Sequence, residues 1–161
     1  ASMGVPQKRE RVFFIGLRND IKLPELVLRF DEKAVRYSEI EDVLDKTENT
    51  KNTKGYLLYV KTKEGDSFSK EDPRGQFFGY SKIGFNNIPN TIVSNSGTAQ
   101  WHPIFFRQMN KIEVCQIGTY PLDYNFKSIE PKYLIGMSVP PVMTAQIGHQ
   151  IWLQWLSKIK Y

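Results

Sequence analysis

The sequence contains little of the chemistry that disulfides, metal sites and membrane spans require. Its one cysteine is Cys115, so an internal disulfide and a multi-cysteine zinc site are excluded. The two histidines, His102 and His149, have no partners at ligand spacing, and we predict no metal site. No apolar run approaches ~20 residues and the start carries no signal-peptide pattern, so we expect no membrane segment. These features favour a reducing, intracellular compartment.

The composition is that of a folded chain with a modest basic balance. Of 161 residues, 40% are hydrophobic, and ten Phe, eight Tyr and three Trp are sufficient for a packed core. The 22 Lys and Arg residues against 17 Asp and Glu residues give a net charge of +5. This charge is compatible with a polyanionic partner, but many proteins that bind no nucleic acid share it. Composition alone therefore does not decide the function.

Hydrophobic patterning predicts a strand near the start of the chain and a long helix at its end. Residues 11–18 are the predicted strand, and their continuous apolar run at residues 12–17 is typical of a strand covered on both faces. Pro140 and Pro141 are well placed to open a helix that runs to about residue 159. Its apolar stripe consists of Val142, Ile147, Ile151, Trp155 and Ile159. We expect the strand and this helix to pack together.

Shorter elements are predicted between these two. A capping-box pattern opens a short helix over residues 38–44, and residues 110–118 fit a helix that its last residue, a glycine, terminates. Residues 76–85 and 90–94 are predicted strands, whereas residues 55–63 fit a strand or a helix. The sequence thus predicts a mixed α+β fold, in which both ends share one layer structure and the middle forms a separate lobe.

Gln7, Arg9 and Arg11 occupy alternate positions directly before the predicted strand. In an extended chain, alternate side chains point the same way, so these three would form one polar row. A solvated, charged strand edge would have the same spacing. The spacing alone therefore leaves the role of the row open.

Four segments, taken in order, resemble the motifs of DNA cytosine-5 methyltransferases. Residues 4–13, GVPQKRERVF, are similar to the family's QxRxR motif with its preceding G-[IV]-P. Residues 90–94 resemble the Thr-Leu/Ile step that closes the target recognition region. Residues 107–124 resemble the R-x-L-T-x-R-E block, and residues 133–141, YLIGMSVPP, resemble the final IGNxVPP block. The resemblance covers nearly the whole chain.

Three positions depart from the family pattern. Met137 stands where the final block usually has Asn, which puts a side-chain hydrogen bond to the cofactor from there in question. Gln116 replaces a usual Arg, and Ile112 replaces the Arg before Glu113. Either the chain is a divergent member or these pairings are made differently.

The resemblance implies a fold and a division of the chain. It implies a partial Rossmann-like methyltransferase catalytic domain, made of an edge strand and the C-terminal helix, with an inserted small target-recognition lobe. Residues 1–20 and 128–161 would belong to the catalytic domain. Residues 21–127 would hold the target recognition region and the family block that follows it.

The resemblance also assigns catalytic roles. Arg11 would lie at the O2 side of the extruded cytosine, with Arg9 beside it and Gln7 supporting the loop at the DNA. In this chemistry a thiolate attacks C6, and negative charge on the ring is stabilised through N3 and O2. A guanidinium suits that position because it stays charged and offers fixed donors.

DNA contacts are expected from the target recognition region. Thr91 belongs to the Thr-Ile step, and Lys61 and Lys63 are the basic residues that we single out for phosphate contacts. Such contacts position a protein on DNA, whereas base contacts specify the sequence. Further basic candidates in the same region are Lys51, Lys54, Lys70 and Arg74.

The implied cofactor site is only partly present. Met137, Ser138 and Val139 are expected to contribute to a pocket for S-adenosylmethionine. The family's FxGxG loop, Pro-Cys nucleophile and Glu-Asn-Val motif do not occur in this sequence, and Cys115 follows a valine at a position expected to be packed.

We therefore expect the C-terminal portion or subunit of a bacterial or phage-encoded cytoplasmic methyltransferase of the restriction-modification type. It would act on double-stranded DNA, need an N-terminal methyltransferase half as partner, and be inactive alone. The alternative is a stand-alone, non-catalytic DNA-binding module derived from such an enzyme.

Overall fold

The computed structural model describes residues 2–95 and 97–159, in which short helices and strands are joined by long irregular segments. The α-helices are α1 (Lys54–Lys61), α2 (Lys111–Gly118), α3 (Pro131–Met137) and α4 (Pro141–Gln154). The strands β1 (Tyr80–Lys82) and β2 (Ala99–Trp101) pair in parallel, and 3-10 helices occupy Tyr37–Glu39, Phe68–Lys70 and Leu156–Lys158. The predicted mixed content of helix and strand is confirmed.

An aromatic core, which we call the aromatic cluster, lies between α1 and the sheet. The rings of Trp101 and Phe106 stack with centroids 4.6 Å apart, and the Tyr59 ring lies 5.2 Å from Phe106. Thr53 caps α1 because its side chain accepts a hydrogen bond from the Tyr56 N–H. The buried members of the cluster are Leu58, Tyr59, Phe68, Ala99, Trp101 and Phe106. The open prediction for residues 55–63 is thus resolved as a helix.

A second core, the helical cluster, lies between α2 and α3. Asn110 and Glu113 form a capping box, in which each side chain accepts a hydrogen bond from the other's backbone N–H. The helix predicted over residues 110–118 is confirmed, but its end differs: Thr119, at φ 58°, is the left-handed residue. A Cβ on Gly118 would lie 2.5 Å from Ile135 Cγ2, so this glycine permits close helix packing. The buried members are Ile92, Val114, Cys115, Ile117, Phe126 and Ile135.

The predicted strand at residues 11–18 is wrong. The segment is extended, but none of its residues joins a β-ladder among the described residues. Val12 is 80% exposed and Phe14 is 96% exposed. A continuous apolar run becomes a strand only where a neighbouring strand takes up its backbone hydrogen bonds. The described chain offers no such neighbour here.

The long helix predicted near the end is confirmed as α4, although it ends at Gln154 and continues as a 3-10 turn. The Trp155 indole N–H donates to the Pro24 carbonyl at 2.8 Å, and the Gln154 amide bonds both backbone groups of Val27. The helix therefore packs on the extended chain before residue 33. It meets the 11–18 segment only across an apolar groove of about 420 Å³, whose lining includes Phe13, Ile15, Leu17 and Trp155.

Two further predictions are corrected. The helix over residues 38–44 is a single 3-10 turn at Tyr37–Glu39. Beyond it, Glu41 bonds His102, and Asp42 accepts hydrogen bonds from Asn110 and from the Leu44 N–H, which shapes a turn instead of a further helical turn. The strand over residues 90–94 reduces to one parallel bridge between Asn90 and Lys8.

The strand over residues 76–85 shortens to β1, and β2 and α3 were not predicted. Within the described ranges, no helix is both long and apolar enough to cross a membrane.

Candidate functional site

The segment with Gln7, Arg9 and Arg11 divides into a buried part and an exposed part. Gln7 is 1% exposed and Arg9 is 4% exposed, whereas Arg11 lies at the surface. Two tight turns set this course, since the Gln7 N–H donates to the Val5 carbonyl and the Arg9 N–H donates to the Gln7 carbonyl. The three side chains therefore do not form the single row that alternate spacing predicts.

Gln7 is held inside the protein by both ends of its amide. Its Nε2 donates to the Ile117 carbonyl at 2.9 Å, near the end of α2. Its Oε1 accepts from the Ile92 N–H at 3.3 Å. Because both groups are occupied, this geometry matches the expected support of the loop better than a direct contact with DNA.

Arg9 ties three separate parts of the chain together. Its guanidinium donates to the Ile92 carbonyl at 2.7 Å, the Gly136 carbonyl at 2.9 Å and the Ser138 carbonyl at 2.6 Å. Burial, followed by the nearby charge of Arg11, lowers the pKa of Arg9, but an arginine still remains charged. Its hydrogen bonds are thus engaged with backbone, and its geometry is that of a positioning residue.

Arg11 and Thr91 meet at one surface depression. The depression measures about 530 Å³, and its lining consists of Lys8, Arg9, Glu10, Arg11 and Thr91. Arg11 donates one bond, from Nη1 to the adjacent Glu10 carbonyl at 2.6 Å. The Thr91 hydroxyl donates to the Lys8 carbonyl, and the Lys8 N–H donates to the Pro89 carbonyl at 2.9 Å. Two segments some 80 residues apart in sequence are therefore adjacent in the structure.

The expected cofactor residues lie where α3 ends, next to the Arg9 guanidinium. Met137 is 66% exposed and Val139 is 36% exposed, so both offer apolar surface to solvent. The Ser138 hydroxyl donates to the Ile135 carbonyl at 2.9 Å, while the Ser138 carbonyl accepts from Arg9. Arg9 therefore holds the backbone of this exposed apolar segment in place.

Lys61 and Lys63 lie elsewhere. Both are exposed, one at the last turn of α1 and the other just beyond it. The Thr62 side chain between them is buried and bonds the Leu58 carbonyl. These lysines do not line the Arg11 depression, so the structure keeps the two groups of predicted site residues apart.

A buried ionic network underlies the site, and spacing alone did not predict it. Arg107 forms a bidentate pair with Glu113 at 2.7 and 2.9 Å, and the Tyr37 hydroxyl donates to the same carboxylate at 2.6 Å. Burial alone would raise the pKa of Glu113, but the bonds from Arg107 and Tyr37 hold it below its usual value. Burial also raises the pKa of Tyr37. In the sequence, the only indication of the pair of Arg107 and Glu113 is that both lie in the 107–124 block that resembles a family motif.

His102 adjoins that network in a defined protonation state. Its Nδ1 accepts hydrogen bonds from the Ile104 and Phe105 N–H groups, both at 3.0 Å, so the proton lies on Nε2. Nε2 faces a Glu41 oxygen at 2.8 Å. Burial lowers the pKa of His102, which favours this neutral ring. Within residues 2–95 and 97–159 we find no group of three His, Cys, Asp or Glu side chains that could hold a metal ion.

Cys115 has the surroundings of a structural residue. It is 1% exposed within the helical cluster, and burial raises the pKa of its thiol. A nucleophilic cysteine needs the opposite, namely an accessible thiolate.

Comparison with known families identifies the family of the chain. The chain belongs to the C-5 cytosine-specific DNA methylase family, whose model matches residues 1–152. Among curated proteins it is similar to the Type II methyltransferase M.BbvI of Brevibacillus brevis, with 28% identity over 182 aligned positions. The match covers 98% of this chain and 48% of that relative, so the chain spans about half of its length. No solved structure matches.

Proposed function

We propose that this chain is the C-terminal portion or subunit of a DNA cytosine-5 methyltransferase and is inactive alone. It contributes target recognition on double-stranded DNA, the arginine that faces cytosine O2 and one wall of the S-adenosylmethionine site. The observation that carries the proposal is that two arginines close in sequence have different surroundings. Arg9 is locked by three carbonyls, and Arg11 is left at the surface beside Thr91.

Arg11 has the chemistry that cytosine activation needs. When a thiolate adds to C6, negative charge grows at the N3–C2–O2 edge of the ring, and a fixed cation there stabilises the transition state. The target base must leave the duplex for this step. Arg11 retains donors on its guanidinium, since it makes one bond in the described structure, to Glu10. Arg9 then fixes the backbone from which Arg11 projects.

The α3 terminus would hold the cofactor from one side. Met137 and Val139 would contact its apolar surface, and Ser138 would fix the backbone between them through its carbonyl bond to Arg9. S-adenosylmethionine supplies the methyl group when bound. The rest of the pocket must come from residues outside this sequence, because no two glycines here have Gly-x-Gly spacing.

The nucleophile must also come from outside this sequence. Cys115 is buried and follows valine, and the sequence contains no Pro-Cys dipeptide. We assign residues 1–20 and 128–161 to a shared Rossmann-like catalytic domain and residues 21–127 to an inserted recognition lobe and its following block. The complementary segment is either the rest of a longer chain or a second subunit. The similarity to a Type II methyltransferase of Brevibacillus brevis supports a bacterial methyltransferase. We place this enzyme in the cytoplasm, as part of a restriction-modification system.

The direct test is reconstitution with a segment that carries the FxGxG, Pro-Cys and Glu-Asn-Val motifs. Transfer of a labelled methyl group to DNA should require both parts and be absent with this chain alone. Cys115→Ala should leave the reconstituted activity in place. Methylation by the purified chain, or loss of activity on that cysteine change, contradicts the proposal.

The role of Arg11 is tested in the reconstituted enzyme. Loss of a charged hydrogen bond should cost about 1.5–3 kcal/mol in the transition state, or roughly 10- to 150-fold in rate. Arg11→Ala should therefore lower the single-turnover methylation rate and leave duplex affinity largely unchanged. The matched variant is Lys61→Ala, which should weaken binding and reduce the salt slope by about 1 if Lys61 contacts phosphate. If Arg11→Ala loses duplex affinity but keeps its methylation rate, then Arg11 only contacts the DNA backbone and the proposed role is wrong.

A stand-alone DNA-binding module is the second candidate. It is favoured by the two cores and the buried ionic network, which form within this chain. It predicts site-specific duplex binding without any partner, and no gain in methylation when the complementary segment is added.

A further inference from the structure

Phe78 is an exposed aromatic side chain in the segment proposed as the recognition lobe, and it belongs to neither hydrophobic cluster. Its side chain is 85% exposed, whereas the ring of the preceding residue, Phe77, packs against the aromatic cluster. Phe77 has φ 62°, a left-handed conformation that is uncommon for a bulky residue. Such a conformation persists where its surroundings over-determine it, and it often marks a functional segment.

The surroundings of Phe77 supply that constraint. Its ring lies 5.6 Å from the Tyr80 ring and beneath the Lys54 ammonium, 5.1 Å from the ring centre. Lys54 is itself fixed by an ion pair of 2.8 Å with the buried carboxylate of Asp72. The carbonyl of Phe77 accepts a hydrogen bond from the Tyr80 N–H at 2.9 Å. The inward residue is therefore anchored on both sides.

The backbone after Phe78 is equally fixed. The Gly79 carbonyl accepts from the Ala99 N–H at 2.9 Å, and the Phe78 carbonyl lies 3.3 Å from the Ser67 hydroxyl. A Cβ on Gly79 would lie 2.4 Å from the Gly97 carbonyl oxygen, so only glycine fits there. Phe78 is thus presented to solvent from a rigid backbone rather than from a loose loop.

Phe78 lines a cleft of about 470 Å³ whose walls come from the sheet and from the segment that contains Thr91. Thr91 belongs both to this cleft and to the Arg11 depression, so the two are adjacent. The rest of the lining is mixed: it is apolar at Ile92, Val93, Ala99 and Met109, polar at Ser67, Ser81, Asn90, Thr98 and Gln100, and charged at Asp66, Lys70 and Lys132. A ligand long enough to reach Arg11 and enter the cleft would pass the phenyl ring.

We propose that Phe78 packs its ring face against a nucleobase of the bound DNA, near the cytosine that Arg11 engages. The inference deepens the proposed function and rests on it. Extrusion of one base leaves neighbouring bases with an unstacked face, and an inserted apolar side chain covers such a face. Any base can serve, because stacking on an aromatic ring is tolerant of sequence. Phe78 would therefore add affinity for opened DNA rather than read a particular base.

The test uses the reconstituted enzyme and duplexes of mixed sequence with 5-iodouracil in place of thymine. Irradiation should crosslink DNA to the peptide that contains Phe78. Phe78→Ala and Phe78→Leu should each weaken DNA binding by about 5- to 150-fold and leave the salt dependence of binding unchanged. Phe78→Trp should retain the affinity of the wild type. Trp152→Ala is the matched control, since Trp152 is also an exposed aromatic but lies on α4 and does not line the cleft.

Several outcomes overturn the inference. The inference is wrong if Phe78→Ala binds DNA as tightly as the wild type. It is also wrong if Phe78→Leu keeps the full DNA affinity, because an apolar contact without ring stacking would then be sufficient. Weaker capture of the complementary segment with unchanged DNA affinity makes Phe78 a protein contact. If the Arg11 and Lys61 variants behave as proposed while Phe78→Ala has no effect, the inference fails alone. If the wild type neither binds nor methylates DNA, the proposed function fails and the inference with it.

Discussion

Residues 5–9 and residues 11–18 are neighbours in the sequence, yet their surroundings are opposite. In the first segment, Gln7 and Arg9 are buried and bond backbone groups near α2 and α3. In the second, Phe14 is 96% exposed and no residue joins a β-ladder among the described residues. The first segment is held by other parts of this chain, whereas the second presents apolar surface. The difference separates a segment whose position this chain determines from one that it leaves exposed.

The largest expected effect tests the self-contained part at its buried ionic network. Arg107→Leu removes the partner of Glu113 and leaves a carboxylate that is 0% exposed without its cation. Breaking such a pair on one side typically costs about 3–5 kcal/mol. Urea denaturation of the chain should show this loss. The control is Lys33→Ala, which removes an exposed pair with Glu39 and should cost about 1 kcal/mol or less. Equal losses in both variants would refute the role of burial.

The next effect separates the two arginines directly. Arg9→Met leaves the Ile92, Gly136 and Ser138 carbonyls without their donor, and hydrogen bonds to a charged group contribute about 1.5–3 kcal/mol. Arg11→Met, at the surface, should stay within about 0.5 kcal/mol of the wild type. The measurement is the free energy of unfolding of each variant. A destabilised Arg11 variant beside a stable Arg9 variant would reverse the assignment.

A smaller effect should appear on acidification. The pKa of His102 is lowered in the folded chain, so the unfolded chain binds more protons as pH falls below about 6.5. Stability is therefore present above that pH and is lost as pH falls through the folded pKa, by at most about 1.4 kcal/mol per pH unit. His102→Gln should flatten the dependence of the unfolding free energy on pH below about 7, measured by urea denaturation at several pH values.

Carboxylates act at lower pH and can be told apart from His102. Hydrogen bonds from Thr47 and Asn110 lower the pKa of Asp45 to about 2. Its contribution is present above the unfolded pKa near 4 and is lost towards pH 2. A profile that is flat above pH 5 in the wild type would contradict the buried neutral state of His102.

The smallest effect tests the incomplete part. Phe14→Ser removes an exposed ring and should change the unfolding free energy of this chain by about 0.5 kcal/mol or less. It should reduce self-association, because a contiguous exposed apolar surface is an association hazard. Sedimentation of both proteins at equal concentration measures this. A large loss of stability would mean that the segment is part of a core after all.

Local signals account for what the sequence predicted well. The Asn110 cap and Glu113 lie three residues apart, and Pro141 lies in the first turn of its helix, so α2 and α4 could be foreseen. The family resemblance likewise depended on short motifs. The chain's membership of the family confirms that part of the interpretation.

Non-local contacts account for what it did not. The parallel pairing of β2 with β1, and the Tyr37 hydroxyl on Glu113, join positions with no shared periodicity. The apolar run at residues 11–18 gave a strand pattern, but a ladder depends on a partner that the pattern does not contain. Alternation likewise placed Gln7, Arg9 and Arg11 in one row, whereas two tight turns rotate the chain between them.

The bonds made by Arg9 also have a consequence for the order in which the protein is made and folds. They span sequence separations of 83, 127 and 129 residues. A nascent chain therefore cannot engage the guanidinium fully until Ser138 has left the ribosome. Contacts of such long range slow folding and prolong the time for which unassembled surface is exposed. Until then the segment around Arg9 remains unsecured, although it is synthesised before each of its three partners.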